Sequence, residues 1–303
     1  MMWLGFAVLL TVMFTLDLGV FSRKSHEVKF REALIWTLVW VFLAVAFNAW
    51  IYFYMGSTKA LEFFTGYVIE ESLSVDNLFV FIMIFTYFNV GKAHQPKILK
   101  WGIIGALAMR AIFIFAGIGL LERFHWMVYI FGGLLVITGI KMAFGKEGKI
   151  KPEKNLLVRL VGRFFPVSAD ARCHRFFIKE KGRITVTQLF LTLIVVESSD
   201  VIFAMDSIPA ILAVTRDPFI VYTSNVFAIL GLRSLYYLLA NVMDMFVYLK
   251  AGISFILTFV GVKMVISDYY PIPIHISLMV IISVLAIAVI TSVTIGKKRH
   301  PHF

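Results

Sequence analysis

Apolar residues run along this chain in stretches of about twenty, broken by short polar or basic segments. A bilayer core takes about 20 apolar residues per helix. That ruler predicts nine spans, at 2–21, 33–55, 62–88, 98–121, 127–144, 186–212, 219–241, 251–267 and 274–295. The expected fold is therefore an all-α integral membrane protein with about nine transmembrane helices. The first stretch lacks a charged leading region, carries Asp17 and shows no small-residue cleavage site before Ser22. It is read as a helix and not as a cleaved signal peptide.

Composition agrees with the pattern. Of 303 residues, 60% are hydrophobic and 16% charged, against roughly 45–50% and 25% in soluble domains. This excludes a water-soluble enzyme, a disordered chain and a collagen-like fibre. A net charge of +11 would suggest nucleic acid in a soluble protein. Here the basic residues concentrate in alternate loops, at 22–32, 89–97, 145–185 and 242–250 and after 296, while the other loops hold little beyond Lys59, Arg123 and Arg216. Such asymmetry sets topology: it predicts an outside N-terminus and a cytoplasmic C-terminus, with the bilayer and no nucleic acid as partner. The single cysteine, Cys173, can form no internal disulfide. The 145–185 loop reads as a basic cytoplasmic linker.

The segments flanking that linker resemble each other. Asp76, Arg110 and Lys141 are spaced much as Asp200, Arg233 and Lys263 are, and Gly139-Ile-Lys-Met142 matches Gly261-Val-Lys-Met264. Each flank, 62–144 and 186–267, holds three spans. An odd number of spans inserts a copy the opposite way up, the inverted-repeat plan of secondary transporters, whose sites lie at the midplane between repeats.

Seven carboxylates fall inside spans: Asp17, Glu70, Glu71, Asp76, Glu197, Asp200 and Asp206. Each costs roughly 2.5–3.5 kcal/mol at a span centre if ionised, so the set costs on the order of 20 kcal/mol. They must face one another, a cavity or a cation. Glu197 and Asp200, at i and i+3, share a helix face, as do Glu70 and Asn77 at i and i+7; Asp76 and Asp206 fall off those faces. Convergence of all of them would need a break in the 197–209 helix, for which Pro209, Ser198, Ser199 and Ser207 supply a local reason.

Carboxylate, amide and hydroxyl oxygens suit hard cations, chiefly Mn, Mg and Ca, whereas Zn and Cu favour His and Cys. No histidine lies mid-span: His275 is near a helix end and His125 in a short loop. Protons are a second possible cargo, since intramembrane carboxylates serve as relays. Arg110 and Arg233 admit two roles. They neutralise the carboxylates when no cation is present, or they fix the repeats together by hydrogen bonds to helix ends and amides, the second being preferred. Asn48, Asn225 and Asn241 are in-span amides suited to interhelical hydrogen bonds.

The segments Ile69-Glu-Glu-Ser-Leu-Ser-Val-Asp-Asn-Leu-Phe-Val80, Val196-Glu-Ser-Ser-Asp-Val-Ile-Phe-Ala-Met-Asp-Ser-Ile-Pro-Ala-Ile211 and Asp217-Pro-Phe-Ile220 resemble the TerC family of integral membrane proteins, nearest its Alx branch, over almost the whole chain. The resemblance implies a bacterial inner-membrane protein linked to manganese export or supply, with tellurium resistance and redox modulation as older family labels. It implies that Asp17, Glu70, Asp76, Glu197, Asp200 and Asp206 matter. The family often has Lys where this chain has Glu71, which removes a local counter-charge and leaves Glu71 as an extra ligand, a surface group or a protonated acid.

The expectation is thus a Mn²⁺ exporter, proton-coupled, with Glu70, Asp76, Glu197 and Asp200 at a midplane site, Asn77 beside it, and Asp17 and Asp206 at the entrance or exit. The rival is a membrane scaffold or redox-modulating protein without transport of its own. No nucleophile triad, phosphate loop or His-based metal motif points to an enzyme, and no prosthetic group is expected.

Overall fold

A computed structural model describes residues 2–21, 30–144, 160–161, 163, 166–167, 175–180, 183–240 and 248–299. Among them the chain forms nine helices and one hairpin. The helices are α1 (Met2–Phe21), α2 (Phe30–Met55), α3 (Ser57–Tyr87), α4 (Gln95–Arg123), α5 (Met127–Phe144), α6 (Gln188–Leu212), α7 (Pro218–Ala240), α8 (Leu249–Ile266) and α9 (Ile274–Arg299). Strands β1 (Phe177–Glu180) and β2 (Arg183–Val186) pair antiparallel, Phe177 opposite Val186. Seven helices, α2 and α4 to α9, are long and apolar enough to cross a membrane. The 31-residue α3 is about 46 Å long at 1.5 Å per residue, and its sequence includes Lys59, Glu62, Glu70, Glu71 and Asp76.

Helix α7 is the centre of the bundle. Almost every residue from Phe219 to Leu239 is buried, yet its mean hydropathy, 1.3, is the lowest of the seven. A helix enclosed by protein can hold polar groups that a lipid-facing helix cannot, and α7 buries Thr223, Ser224, Asn225, Arg233 and Ser234. The outward faces of other helices expose Phe42, Phe53, Ile112, Ile202 and Ile287. Apolar exposure of that extent suits a lipid surface.

The most extensive helix contact joins α5 to α8; α3 packs on α7, α4 on α6, α3 on α6 and α4 on α7, and α2 covers α3 and α7. The α5–α8 seam is close because it is built on glycines. A Cβ on Gly261 would meet Gly132 O at 2.7 Å and Leu135 Cβ at 2.8 Å, and one on Gly139 would meet Ser254 O at 2.8 Å. Ser254 Oγ donates to Gly139 O at 2.7 Å across the seam. Around α7 on the other side, Phe47 stacks against Trp50 and packs on Phe63 and Phe227, joining α2, α3 and α7.

One sequence expectation is corrected. Helix α6 runs unbroken through 197–209, and α3 through 70–77. Pro209 lies in the final turn of α6, and the helix continues through it to Leu212, so no unwound stretch forms. The described part of the 145–185 linker also contains the β1–β2 hairpin, while most of that segment and Asn241 lie outside the described residues.

Candidate functional site

Four helices meet at Arg110. The side chain comes from α4 and is buried among Glu70 of α3, Asp200 and Ser207 of α6 and Asn225 of α7. Its Nη1 donates to Glu70 Oε1, to Asn225 Oδ1 at 3.0 Å and to Ser207 Oγ at 3.2 Å, and its Nη2 reaches Asp200 Oδ1 at 3.5 Å. Asn225 Nδ2 donates to the second Glu70 oxygen at 3.1 Å. Glu70 is 0% exposed, Arg110 2% and Asp200 5%.

The local reasons are geometric. Asp200 and Ser207 are seven residues apart, two turns along one stripe of α6. A guanidinium presents several donors in a fixed fork, so one Arg can serve two carboxylates, an amide and a hydroxyl together. The centre is not fully matched. Asp200 Oδ2 and Arg110 Nε are buried without a hydrogen-bond partner among the described residues. Two carboxylates against one guanidinium leave a formal charge of −1 if both are ionised. The sequence preference for amide and helix-end partners is corrected here: Arg110 binds the Asn225 amide but also neutralises the carboxylates.

The other sequence-chosen residues divide. Glu197, one turn before Asp200, turns its carboxylate onto Gly105 of α4, where any Cβ would overlap it. Glu197 and Asp200 line a cavity of ≈ 10 Å³ with Phe81, Gly102 and Leu232, room for about one water. Asn77 is buried two turns from Glu70. Asp76, six residues after Glu70, is turned about 120° from it around the helix and is half-buried. Asp206, in the same relation to Asp200, accepts a hydrogen bond from Thr138 of α5 at 2.9 Å. Asp17 lies on α1, with its side chain outside the described residues. Asn48 Oδ1 is buried without a hydrogen-bond partner among the described residues. Glu70 and Asp200 are therefore brought together, Glu197 adjoins them, and Asp76 and Asp206 point elsewhere. Among the described residues no group of three or more His, Cys, Asp or Glu side chains stands ready to hold a metal.

Sequence reasoning gave Gly105 no part in the site. Its role depends on the α4–α6 contact, which no local motif encodes. It also left unread a charged cluster at one end of the bundle. Lys59 Nζ bridges Glu62 Oε2 at 2.9 Å and Asp217 Oδ2 at 3.0 Å, and Thr215 Oγ1 donates to Glu62 at 2.6 Å. These residues line an open pocket of ≈ 650 Å³ with Arg216 and Ser267. Asp217 Oδ1 accepts from Phe219 N at 3.0 Å, an N-cap to α7. The signal was present, since Asp-Pro is a familiar helix start.

Comparison with known proteins follows the same outline. A membrane protein of Myxococcus xanthus, STKORF319, is 49% identical over 99% of this chain and 93% of its own length. Alx of Escherichia coli K12, named as a candidate membrane-bound redox modulator, is 45% identical over 99% of this chain and 96% of its own. A membrane protein of Rickettsia bellii is 37% identical, with 97% of each chain covered. No solved structure gives a significant match. The family model for integral membrane protein TerC matches residues 55–300, and with full-length relatives at such identity the chain belongs to the TerC family of multi-pass integral membrane proteins.

Proposed function

We propose that this protein exports a divalent cation, Mn²⁺ first among them, from the cytoplasm in exchange for protons. The observation that carries the reading is the meeting of Glu70 and Asp200, from two different helix triplets, on one buried guanidinium. Buried ion pairs are poor stabilisers compared with an apolar core, because desolvation offsets most of their attraction. A centre of this cost points to a task beyond folding. Glu70, Asp200, Asn225 and Ser207 offer only oxygen acceptors of the hard kind that Mn²⁺ and Mg²⁺ take. Arg110 then holds the position of positive charge while no cation is bound, and withdraws as the cation enters.

The contact pattern supports an inverted repeat of α3–α5 and α6–α8. Exchanging α3 with α6, α4 with α7 and α5 with α8 turns the α3–α7 contact into α6–α4 and the α5–α6 contact into α8–α3, all of which occur. Rocking of one triplet against the other would open the site to alternate sides. Glu197, Asp76, Asp206 and Asp17 are the approach and exit groups in this reading. Moving a 2+ charge outward against 100 mV costs about 4–5 kcal/mol, which calls for a driving ion, and the carboxylates suit protons.

The second reading, a redox-modulating or scaffold protein, is favoured by the name that the Alx relatives carry and by the ion pairs that Arg110 already makes. Proteoliposomes holding the purified full chain separate the two. Saturable Mn²⁺ flux that follows an imposed pH gradient and disappears in Asp200→Asn is the expected result. A folded protein that passes no Mn²⁺, Mg²⁺ or Ca²⁺ rejects the transport reading and leaves the ion pairs a structural role.

A further inference from the structure

The Arg110 centre and the Lys59 cluster are two polar layers of one interface. Each takes a residue from α3, one from α6 or just past its end, and one from the start or middle of α7. At the centre these are Glu70, Ser207 and Asn225; at the bundle end they are Glu62, Thr215 and Asp217. In each of the three cases the two residues are eight apart in sequence, which separates the layers by about 12 Å along α3 and α7. The second layer lies at the start of α3 and in the α6–α7 connection. That is the end of the bundle opposite the basic loops, the outer end where those loops are cytoplasmic.

Between the layers the interface is shut. Gly66 is four residues from both Glu62 and Glu70, and Ile211 is four from both Ser207 and Thr215. A Cβ on Gly66 would meet Ser224 Oγ of α7 at 2.9 Å and Ile211 Cγ2 of α6 at 3.5 Å. Ser224 and Ile211 are both 0% exposed. The pocket of ≈ 650 Å³ beside the outer layer is lined by none of the residues around Arg110.

Lys59 is what crosses the outer layer from one triplet to the other. Its Nζ lies 2.9 Å from Glu62 Oε2 on its own helix and 3.0 Å from Asp217 Oδ2 across the interface. Asp217 is fixed to α7, because its Oδ1 accepts from Phe219 N at 3.0 Å and Ile220 N at 3.4 Å. The ammonium group therefore grips the helix itself and not a loose connection. The Lys59 side chain is 32% exposed and that of Asp217 23%. Ion pairs with such access to water add little to stability, because water competes for both charges. A contact of that kind holds an interface shut and is released at small cost.

On the strength of the transport reading above, we propose that Lys59 is the latch of an outer gate. While it holds Asp217, α3 and α7 stay closed over Gly66, and the Arg110 centre has no route to the pocket. When it lets go, the α3–α6–α7 interface parts and the cation leaves by way of the pocket.

The test reads access to the pinch at Gly66. In the full chain carrying Cys173→Ser, which removes the single native cysteine, Ser224→Cys places one thiol beside Gly66. Its rate of reaction with a membrane-impermeant thiol reagent is measured in spheroplasts, which offer the reagent only the face away from the cytoplasm. Lys59→Gln should raise this rate about two- to fivefold, the shift that loss of one partly exposed ion pair gives an opening equilibrium. Lys59→Arg, which keeps the charge, should leave it at the parent value. Ser254→Cys, buried on the α5–α8 seam, reports general loosening and should react no faster in Lys59→Gln. No rise at position 224, an equal rise in Lys59→Arg, or an equal rise at position 254 overturns the latch. Mn²⁺ flux of the wild-type chain in proteoliposomes is read beside these rates. Flux without the rise rejects the latch and leaves transport standing, whereas the rise without flux supports the latch and rejects the transport reading.

Discussion

The two helix triplets are joined in two chemically opposite ways. Along the α5–α8 seam, Gly132, Gly139 and Gly261 let backbones touch, and the seam is held by dispersion and the Ser254 hydroxyl. At the Arg110 centre, contact is made by long charged side chains, and two polar atoms, Asp200 Oδ2 and Arg110 Nε, go unmatched among the described residues. Small-residue seams are how helices associate where lipid removes the hydrophobic driving force. They have one close arrangement. The charged centre has at least two ways to satisfy its carboxylates, by arginine or by a cation. The contrast assigns the seam to holding the triplets and the centre to whatever changes between them.

The sharpest way to break that assignment is Arg110→Ala. Removing one partner from a buried ion pair strands the others, at a cost of about 3–5 kcal/mol. Thermal unfolding in detergent should show a large fall in stability, partly restored by Arg110→Lys. Addition of Mn²⁺ should raise the midpoint of Arg110→Ala more than that of the wild type, because the cation then has no arginine to displace. An unchanged midpoint in the alanine variant would mean that Arg110 is not what balances Glu70 and Asp200.

Next comes the asymmetry inside the centre. Glu70 has both oxygens engaged, one by Arg110 and one by Asn225, while among the described residues Asp200 has a single long contact and an oxygen without a partner. Glu70→Gln should therefore cost about 1.5–3 kcal/mol, the range for hydrogen bonds to charged groups, and Asp200→Asn clearly less. If Asp200 is the cation ligand, its variant keeps its fold and loses Mn²⁺ flux. Equal stability losses would put the two carboxylates in the same structural role.

How much of this was legible follows from the same contrast. The spans could be read because hydropathy is a property of single stretches, and Glu70, Asp200 and Arg110 stood out because charge inside a span is expensive. Which carboxylates meet depends on how each helix is rotated against its neighbours, which no stretch encodes. Asp76 was placed at the centre, although its helix face, like that of Asp206, is turned about a third of a circle away. Pro209 suggested a break because proline disrupts helix interiors, but α6 continues through it to Leu212. The glycines of the seam carried no charge to draw attention to them. The hairpin did have a signal, Phe-Ile-Lys-Glu and Arg-Ile-Thr-Val around Lys181-Gly182, outweighed by the basic character of the linker.

Gly261→Ala tests the other side of the comparison. The added methyl would meet backbone atoms, Gly132 O at 2.7 Å and Val136 N at 2.8 Å, which cannot rotate aside. Overpacking of this kind costs about 1–3 kcal/mol. The expected variant is less stable in detergent, with Mn²⁺ flux per folded molecule still dependent on Asp200. Flux that fails while stability is kept would make the seam a moving part.

The smallest effect concerns the bond that ties one region to the other. Thr138, one residue before Gly139 on the seam helix α5, donates to Asp206, six residues after Asp200 on α6. Hydrogen bonds between membrane helices average about 0.6 kcal/mol and stay below about 1.7 kcal/mol. A double-mutant cycle of Thr138→Val and Asp206→Asn, read by unfolding in detergent, should give a coupling in that range. A coupling well above the range would show that Asp206 carries a charge for which Thr138 is the main compensation. The line between a seam that holds and a centre that changes would then run through α6 itself.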